Sequence, residues 1–468
     1  MLLYEKEIII PVIKGHQALL SHLSEVVLDE IAPNETPIRF AVTKTDANSY
    51  NCELGVLQDT DSSYTIPRDS IFKFKKREYE SFDQFNSVLL IPTGIGAEIG
   101  GHSGDAGPVA RLLASACDNL ITHPNVVNAS DINELPENGL YVEGSIITRL
   151  LMGSIALQKV PINRVMLIMD KHQDKFFYDA VINSVSAARA TLGLSCPKVV
   201  MLEDNVLMKA LFSSSGRAVG IIERFGHLCE VLEKYRSEYD AVALSTVIKV
   251  PSSYHADYFK DEDMINPWGG VEAMLTHTLS TLFNIPSAHS PMLESRDILD
   301  LEIGVVDPRK SAELVSTTFL HCILKGLHRS PRIIADQQIL ERTGALTISD
   351  ISCLIIPDGC LGLPTLAALE QGIPVIAVRE NKNQMENSLE DLPFAPGKLF
   401  IVENYLEAIG VMHALRAGVS LESVRRPIPE TTVEEISAKE EPAKEESAKE
   451  ESPAFIEEQK QDAVSQES

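Results

Sequence analysis

The sequence predicts an α/β protein: two Rossmann-like parallel-sheet lobes preceded by a small α+β N-terminal unit, with a disordered acidic C-terminal tail. Two observations carry this. From residue 86 to about 417, near-continuous Val/Ile/Leu runs at 87–91, 164–169, 198–202, 241–247, 353–356 and 374–378 alternate with stretches of helical periodicity. Apolar strands spaced by helices are what a parallel sheet covered on both faces requires. From Pro427 onward, tandem SAKEE, PAKEE and SAKEE repeats leave too few aliphatic side chains to offset the entropy of ordering the segment.

The elements follow in order. Residues 7–13, 38–43 and 52–57 read as short strands. Between them a helix is predicted over 17–31, with Leu19, Leu20, Leu23, Val26, Val27 and Ile31 on its apolar face. The polar run 58–69 is a loop, and 72–75 one more strand. These make a unit of residues 1–80. Helices are predicted over 108–119, 176–190, 225–235, 271–283 and 308–324. The alternating stretch is too long for one compact sheet, which places a division near Val250. The first lobe then covers 86–250, the second 251–426 and the tail 427–468.

Charge excludes some functions. The chain carries 41 Lys+Arg against 67 Asp+Glu, a net of −26. Thirteen acidic residues and four lysines fall in 427–468, so the body alone stands at −17. An acidic body without a basic stripe argues against nucleic acid as a partner. No apolar run reaches the roughly 18 residues that cross a bilayer, so no membrane partner is expected. The start MLLYEKEIII lacks the pattern of a secretory signal. Seven scattered cysteines, none spaced CxxC, point to a reduced, cytoplasmic compartment rather than a disulfide frame or zinc ribbon. The acidic tail leaves a protein partner open.

The densest signal is Thr93-Gly-Ile-Gly-Ala-Glu-Ile-Gly-Gly-His-Ser-Gly-Asp-Ala-Gly-Pro108, directly after the strand at 87–91. Gly94, Gly96, Gly100, Gly101 and Gly104 permit close backbone approach. Pro108 suits the first position of a helix, and Arg111 falls in its first turn. Strand, glycine loop and helix N-terminus together predict a cradle for an anion or carbonyl, at the strand ends where ligands gather in open α/β sheets. It is not a Rossmann fingerprint, because Ile99 stands where the third glycine belongs. Nor is it a P-loop, because no Gly-Lys-Ser/Thr closes it. The alternative is a tight structural crossing.

His102 and Asp105 lie in that loop, and His123-Pro-Asn125-Val-Val-Asn128 follows the next strand candidate. On adjacent strands, His102, Asp105, His123, Asn125 and Asn128 would converge, and a histidine beside a carboxylate suits proton transfer. His102 or His123 is the expected proton carrier, with Asp105 orienting it. HxxD with a distant histidine is a poor ligand spacing, so no metal is assigned. Helix capping by Asp105 and an Asx turn at Asn125 explain the same residues without chemistry. Further on, Trp268-Gly269-Gly270-Val-Glu272 opens a helix and offers a second anion-binding terminus, with Trp268 as ligand wall or interface plug. His289 is predicted in a proline-bracketed turn. Asp307-Pro308 reads as a helix cap that leaves Arg309 to solvent.

Residues 357–377 locally resemble the donor-binding turn of two-domain nucleotide-sugar glycosyltransferases, through Gly362-Leu363-Pro364 and Gly372-Ile-Pro374-Val-Ile-Ala377. Gly359 and Ala367 stand where that pattern carries its two donor-binding glutamates, so the likeness implies a strand–helix–strand hairpin and no more. Taken together, TGIGAEIGGHSGDAGPVARLLA, THPNVVNASD, NPWGGVEA, DPRKSAELVSTTF and GLPTLAALEQGIPVIAVREN resemble an uncharacterised family met chiefly in cyanobacteria and related photosynthetic lineages. The resemblance spans about Phe85 to Asn381. It implies one evolutionary unit over 86–417 and supplies no substrate, cofactor or catalytic residue.

The expected function is an intracellular enzyme acting on a small anionic metabolite, phosphorylated or carboxylated, held by the glycine loop and Arg111. Two alternatives stand beside it. One is a non-enzymatic metabolite-binding or regulatory protein whose acidic tail contacts a partner. The other is an assembly factor in which the loop is packing alone.

Overall fold

The computed structural model describes residues 1–59, 66–316, 318–336 and 344–435. The SAKEE repeats and everything after residue 435 lie outside the described residues, as do 60–65 of the loop at 58–69.

Two sheets organise the described residues. One is six-stranded and wholly parallel, in the order Leu399–Val402, Val375–Val378, Ile351–Pro357, Asn86–Leu89, Asn119–Thr122, Gly139–Tyr141. Every residue of Asn86–Leu89, Asn119–Thr122 and Val375–Val378 is buried, as strands covered on both faces must be. The other sheet is mixed. Val199–Met201, Val165–Met169, Ala241–Lys249 and Ser287–Met292 run parallel in it. An antiparallel wing of Leu207–Phe212, Ala218–Glu223, Leu2–Pro11, Ser49–Gln58 and Glu35–Thr45 continues it.

The sequence expectation differs here in five places. The strands of the N-terminal unit extend the mixed sheet, with Leu3 opposite Ile222, and Met1–Leu421 forms one compact unit. Each sheet also draws strands from both sides of position 250: 86–141 pairs with 351–402, and Leu361–Gly362 with Glu35–Thr45. The helix expected over 308–324 breaks into Pro308–Ser311, a 3₁₀ turn Ala312–Leu314 and Leu320–His328. Ser316 and Thr318 turn their hydroxyls onto the distant Asp131 carboxylate, and the Ser316 hydroxyl also accepts the Thr318 N–H at 3.2 Å, a local competitor to the helical ladder. Residues 73–75 form no strand after the 3₁₀ turn Ser70–Phe72. His289, expected in a turn, lies in Ser287–Met292, where its neighbour Pro291 is tolerated opposite Thr246. No helix of the described residues is long and apolar enough to cross a membrane, and all seven cysteines are buried and unpaired.

Helix Gly269–Phe283 positions the site. It packs on Ala218–Glu223, Ser287–Met292 and helix Gly144–Leu151 and buries residues around its whole circumference. Asn266 starts it by accepting from Trp268 and Gly269 N–H at 3.0 and 3.3 Å, and Asn284, in the left-handed region, ends it. Gly270 lets it press onto the mixed sheet, since a Cβ there would stand 1.9 Å from the Ala218 carbonyl oxygen. Alanine normally gains up to about 1 kcal/mol over glycine in a helix. At this position the clash outweighs that gain, and Gly270→Ala is expected to cost about 1–3 kcal/mol. The check is a urea midpoint that falls with an unchanged slope.

Candidate functional site

A cavity of about 650 Å³ lies between the sheets, inside the range of roughly 300–1,000 Å³ typical of small-molecule sites. Residues just past the carboxyl ends of three neighbouring parallel strands line it: Pro92 and Thr93 beyond Asn86–Leu89, His123 beyond Asn119–Thr122 and Glu143 beyond Gly139–Tyr141. Helix Gly269–Phe283 contributes Glu272, Thr276, His277 and Thr281.

The chemistry centres on Glu143 and His277. Glu143 is buried and caps helix Gly144–Leu151, accepting from the Ser145 N–H at 3.0 Å and from the Ser145 hydroxyl. His277 Nε2 lies 2.8 Å from Glu143 Oε1. Burial pushes the Glu143 carboxyl up, but His277 and the Ser145 donors outweigh it and hold the group below the usual carboxylate range. With the carboxylate as acceptor, Nε2 carries a proton, so whenever the ring is neutral it is Nδ1 that holds the lone pair. That Nδ1 is buried and has no hydrogen-bond partner. Arg149, one turn along the helix that Glu143 caps, donates to the Ser280 carbonyl at 3.3 Å and to Asn284 Oδ1 at 2.6 Å. Burial depresses it to about 10.

His123 has the opposite tautomer. Its Nε2 accepts the Ile91 N–H at 3.1 Å, so its proton sits on Nδ1. Burial pushes its pKa down to about 4, against the pull of Glu143. The unfolded chain takes up this proton near pH 6.5, the folded chain only near 4. Between those values the unfolded state therefore binds more protons, and stability is lost as pH falls. Against a His123→Asn variant followed over the same interval, the wild type is expected to lose up to about 3 kcal/mol of its relative stability. Parallel denaturant curves at each pH read this out, and a constant difference would contradict it.

Two further groups reach the cavity largely engaged, with Arg217 Nε left without a partner. His289 Nδ1 stands 3.2 Å from Glu272 Oε1 and its Nε2 2.8 Å from Thr246 Oγ1, which leaves neither nitrogen free. Arg217 donates to Glu53 Oε2 at 2.6 Å, both nearly fully buried, while Arg39 pairs with Glu5 at 2.9 Å and reaches the Gly270 carbonyl.

Residues 86–425 match a family described as Protein of unknown function (DUF3326). The chain belongs to that family. A protein of Synechococcus sp. named an uncharacterised lipoprotein is 33% identical over 337 residues, 71% of this chain and 91% of its own length. No solved structure matches. Within the DUF3326 span lie the parallel sheet, His123, Glu143 and His277; Glu5, Arg39 and Glu53 lie before it.

The residues singled out from the DUF3326 sequence divide into two groups. His123, Asn125, Asn128, Trp268, Gly269 and Glu272 line the cavity. Asn125 donates to the Gly100 carbonyl at 2.6 Å and Asn128 to the Tyr141 hydroxyl at 2.8 Å. The Trp268 ring packs against His255 and, edge to face, against Tyr258. His102, Asp105, Arg111 and Gly94, Gly96, Gly100, Gly101, Gly104 and Gly270 are absent from the cavity wall.

The anion cradle is therefore corrected. Four of the loop's donors are already used: Glu98 N–H bonds the Lys382 carbonyl, Ile99 N–H bonds Asn381, Gly100 N–H bonds Asp105 and Ser103 N–H bonds Glu313. Its glycines answer to packing, as at Gly101, where a Cβ would stand 2.1 Å from the Ala97 carbonyl oxygen. Arg111 pairs with exposed Glu134 away from the cavity. Asp105, pushed up to about 7 by burial, braces Gly100 rather than the His102 ring. His102, pushed down to about 4 by burial and by Lys310 and Arg309, meets the Tyr258 hydroxyl at 2.8 Å. Gly269 and Gly270 form no free terminus, since Asn266 takes the Gly269 N–H.

Proposed function

We propose that this protein is an enzyme that binds a small carbonyl- or carboxyl-bearing molecule in the cavity and moves a proton with His277. The Glu143–His277 pair carries the reading: an oriented imidazole with a buried carboxylate on one nitrogen and no partner on the other is the arrangement of a general base. Glu143 is the positioning residue. The Nδ1–H of neutral His123 supplies a hydrogen bond to a substrate oxygen. Phosphate is disfavoured, because each arginine in the cavity wall already bonds carboxylates or carbonyls, Arg217 keeping only its Nε–H unpartnered.

A non-enzymatic binding protein is the second reading, favoured by the cluster of aliphatic side chains at the cavity's rim. Native mass spectrometry of protein purified from its own cells identifies the retained molecule, and incubation in D₂O then separates the readings. An enzyme is expected to exchange a ligand C–H for deuterium, and His277→Gln not to. A retained ligand that neither exchanges nor turns over makes the protein a binder. No retained molecule, and no thermal shift with a carbonyl and carboxylate panel, removes both. The proposed compartment is the reduced cytoplasm, on the seven unpaired cysteines. Membrane fractionation tests it against the lipid attachment that the Synechococcus relative's name states for that protein. A protein partner at the acidic tail remains part of the proposal, tested by pull-down with and without residues 427–468.

A further inference from the structure

Every exposed residue in the cavity wall comes from one stretch: Glu294, Leu301, Gly304 and Leu314. The cavity therefore meets solvent between residues 294 and 314. This rim has little regular structure, a 3₁₀ turn Arg296–Ile298 and the short turns from Pro308 to Leu314. Its side chains are unlike an ordinary polar surface. Ile298, Leu299, Leu301, Ile303 and Leu314 line the opening, and Val305 and Val315 beside them are 103% and 66% exposed. Scattered exposed aliphatics need no explanation; a cluster around one opening does. Behind the rim, apolar side chains from the elements of both sheets, among them Ile248, Met292, Ile323 and Ile356, share the wall with the charged and polar groups described above. Among the wall's polar groups, His277 Nδ1, Thr281 Oγ1 and Arg217 Nε lack partners, and the first two sit one turn apart on the same helix. Buried polar atoms of this kind are normally satisfied, so two neighbours left open in a cavity wall point to a ligand.

We infer that the ligand is an acyl compound, whose aliphatic chain enters over the 294–314 rim and lies along the apolar side chains behind it, with its carbonyl or carboxyl group at His277 and Thr281. The head-group placement rests on the proposed role of His277; the chain rests on the rim and wall alone. Calorimetric titration of the full chain with sodium alkanoates of increasing length tests it. Affinity is expected to rise about fourfold per added methylene until the cavity is filled. Affinity independent of length, or no binding at any length, overturns the inference. Leu301→Asp changes an exposed side chain and leaves the fold alone; it is expected to weaken long chains at least tenfold and short ones little. Equal affinities for the variant and the wild type would exclude the rim as the entrance.

The source of the chain is read separately. Transfer of a labelled chain from phosphatidylglycerol vesicles marks a bilayer source, and uptake of the free alkanoate alone a soluble one. The His277→Gln variant keeps the two levels apart. Chain-length dependence without any effect of that substitution on turnover sinks the catalytic reading and leaves the ligand class standing.

Discussion

His277→Gln is expected to lower turnover by roughly 10²–10⁴-fold while leaving ligand affinity within a few-fold. The glutamine amide can still donate to Glu143 from about the position of Nε2, so the buried carboxylate keeps a partner and the protein keeps its fold. What disappears is the ring's unpartnered nitrogen, Nδ1. Glu143→Gln acts through the same atom by another route. Its carbonyl can still cap the Ser145 N–H, but an amide donor facing Nε2 favours the tautomer that protonates Nδ1, and the base is lost. The two substitutions together should cost little more than His277→Gln alone, because they disable one unit. Additive losses would mean that Glu143 acts on the substrate by itself. A fully active His277→Gln enzyme would move the proton transfer elsewhere, with His123 the next group to test.

Much of the fold was legible because it is written locally. The buried parallel strands are apolar runs, and the helices between them show their period in the sequence. Position 250 failed as a boundary because the pairing of sheet edges is not local. The hairpin Leu207–Phe212 to Ala218–Glu223, which links the N-terminal strands to Ala241–Lys249, leaves only weak alternation in the sequence. The cavity wall was legible in part: His123, Asn125, Asn128 and Glu272, singled out because they follow strand ends or open a helix, do line it. The glycine loop misled because glycines needed for backbone contact, as at Gly101, look the same in sequence as glycines that free N–H groups for an anion. Glu143 and His277 were missed for different reasons. Glu143 is an uncommon residue for a helix cap, though a glutamate between an apolar strand and Gly-Ser was a signal available to be read. His277 lies in a helix buried on all sides, where periodicity marks no special face.

Removing Arg217 is expected to be the most destabilising single change, about 3–5 kcal/mol for Arg217→Met. The guanidinium is nearly fully buried against Glu53, which is 2% exposed, and Glu5 Oε1 lies 3.8 Å away with no hydrogen bond of its own. Without it, two carboxylates remain in the interior with one arginine, Arg39, between them. The Ser213 and Ser215 hydroxyls still donate to Glu53, which softens the loss without cancelling a buried charge. Pairing Arg217→Met with Glu53→Gln should restore much of the stability, since exchanging a buried ion pair for neutral groups is often close to neutral. A double-mutant cycle in urea reads the coupling directly. The outcome also decides how residues 1–80 belong to the molecule. Glu5 and Glu53 sit on Leu2–Pro11 and Ser49–Gln58, whereas Arg217 opens onto Ala218–Glu223 inside the DUF3326 span. A single cooperative transition at a much lower midpoint means that these strands and the family span fold as one body, joined through this charge cluster. Two separated transitions would instead mean that the N-terminal strands hold together on their own and only dock onto the rest.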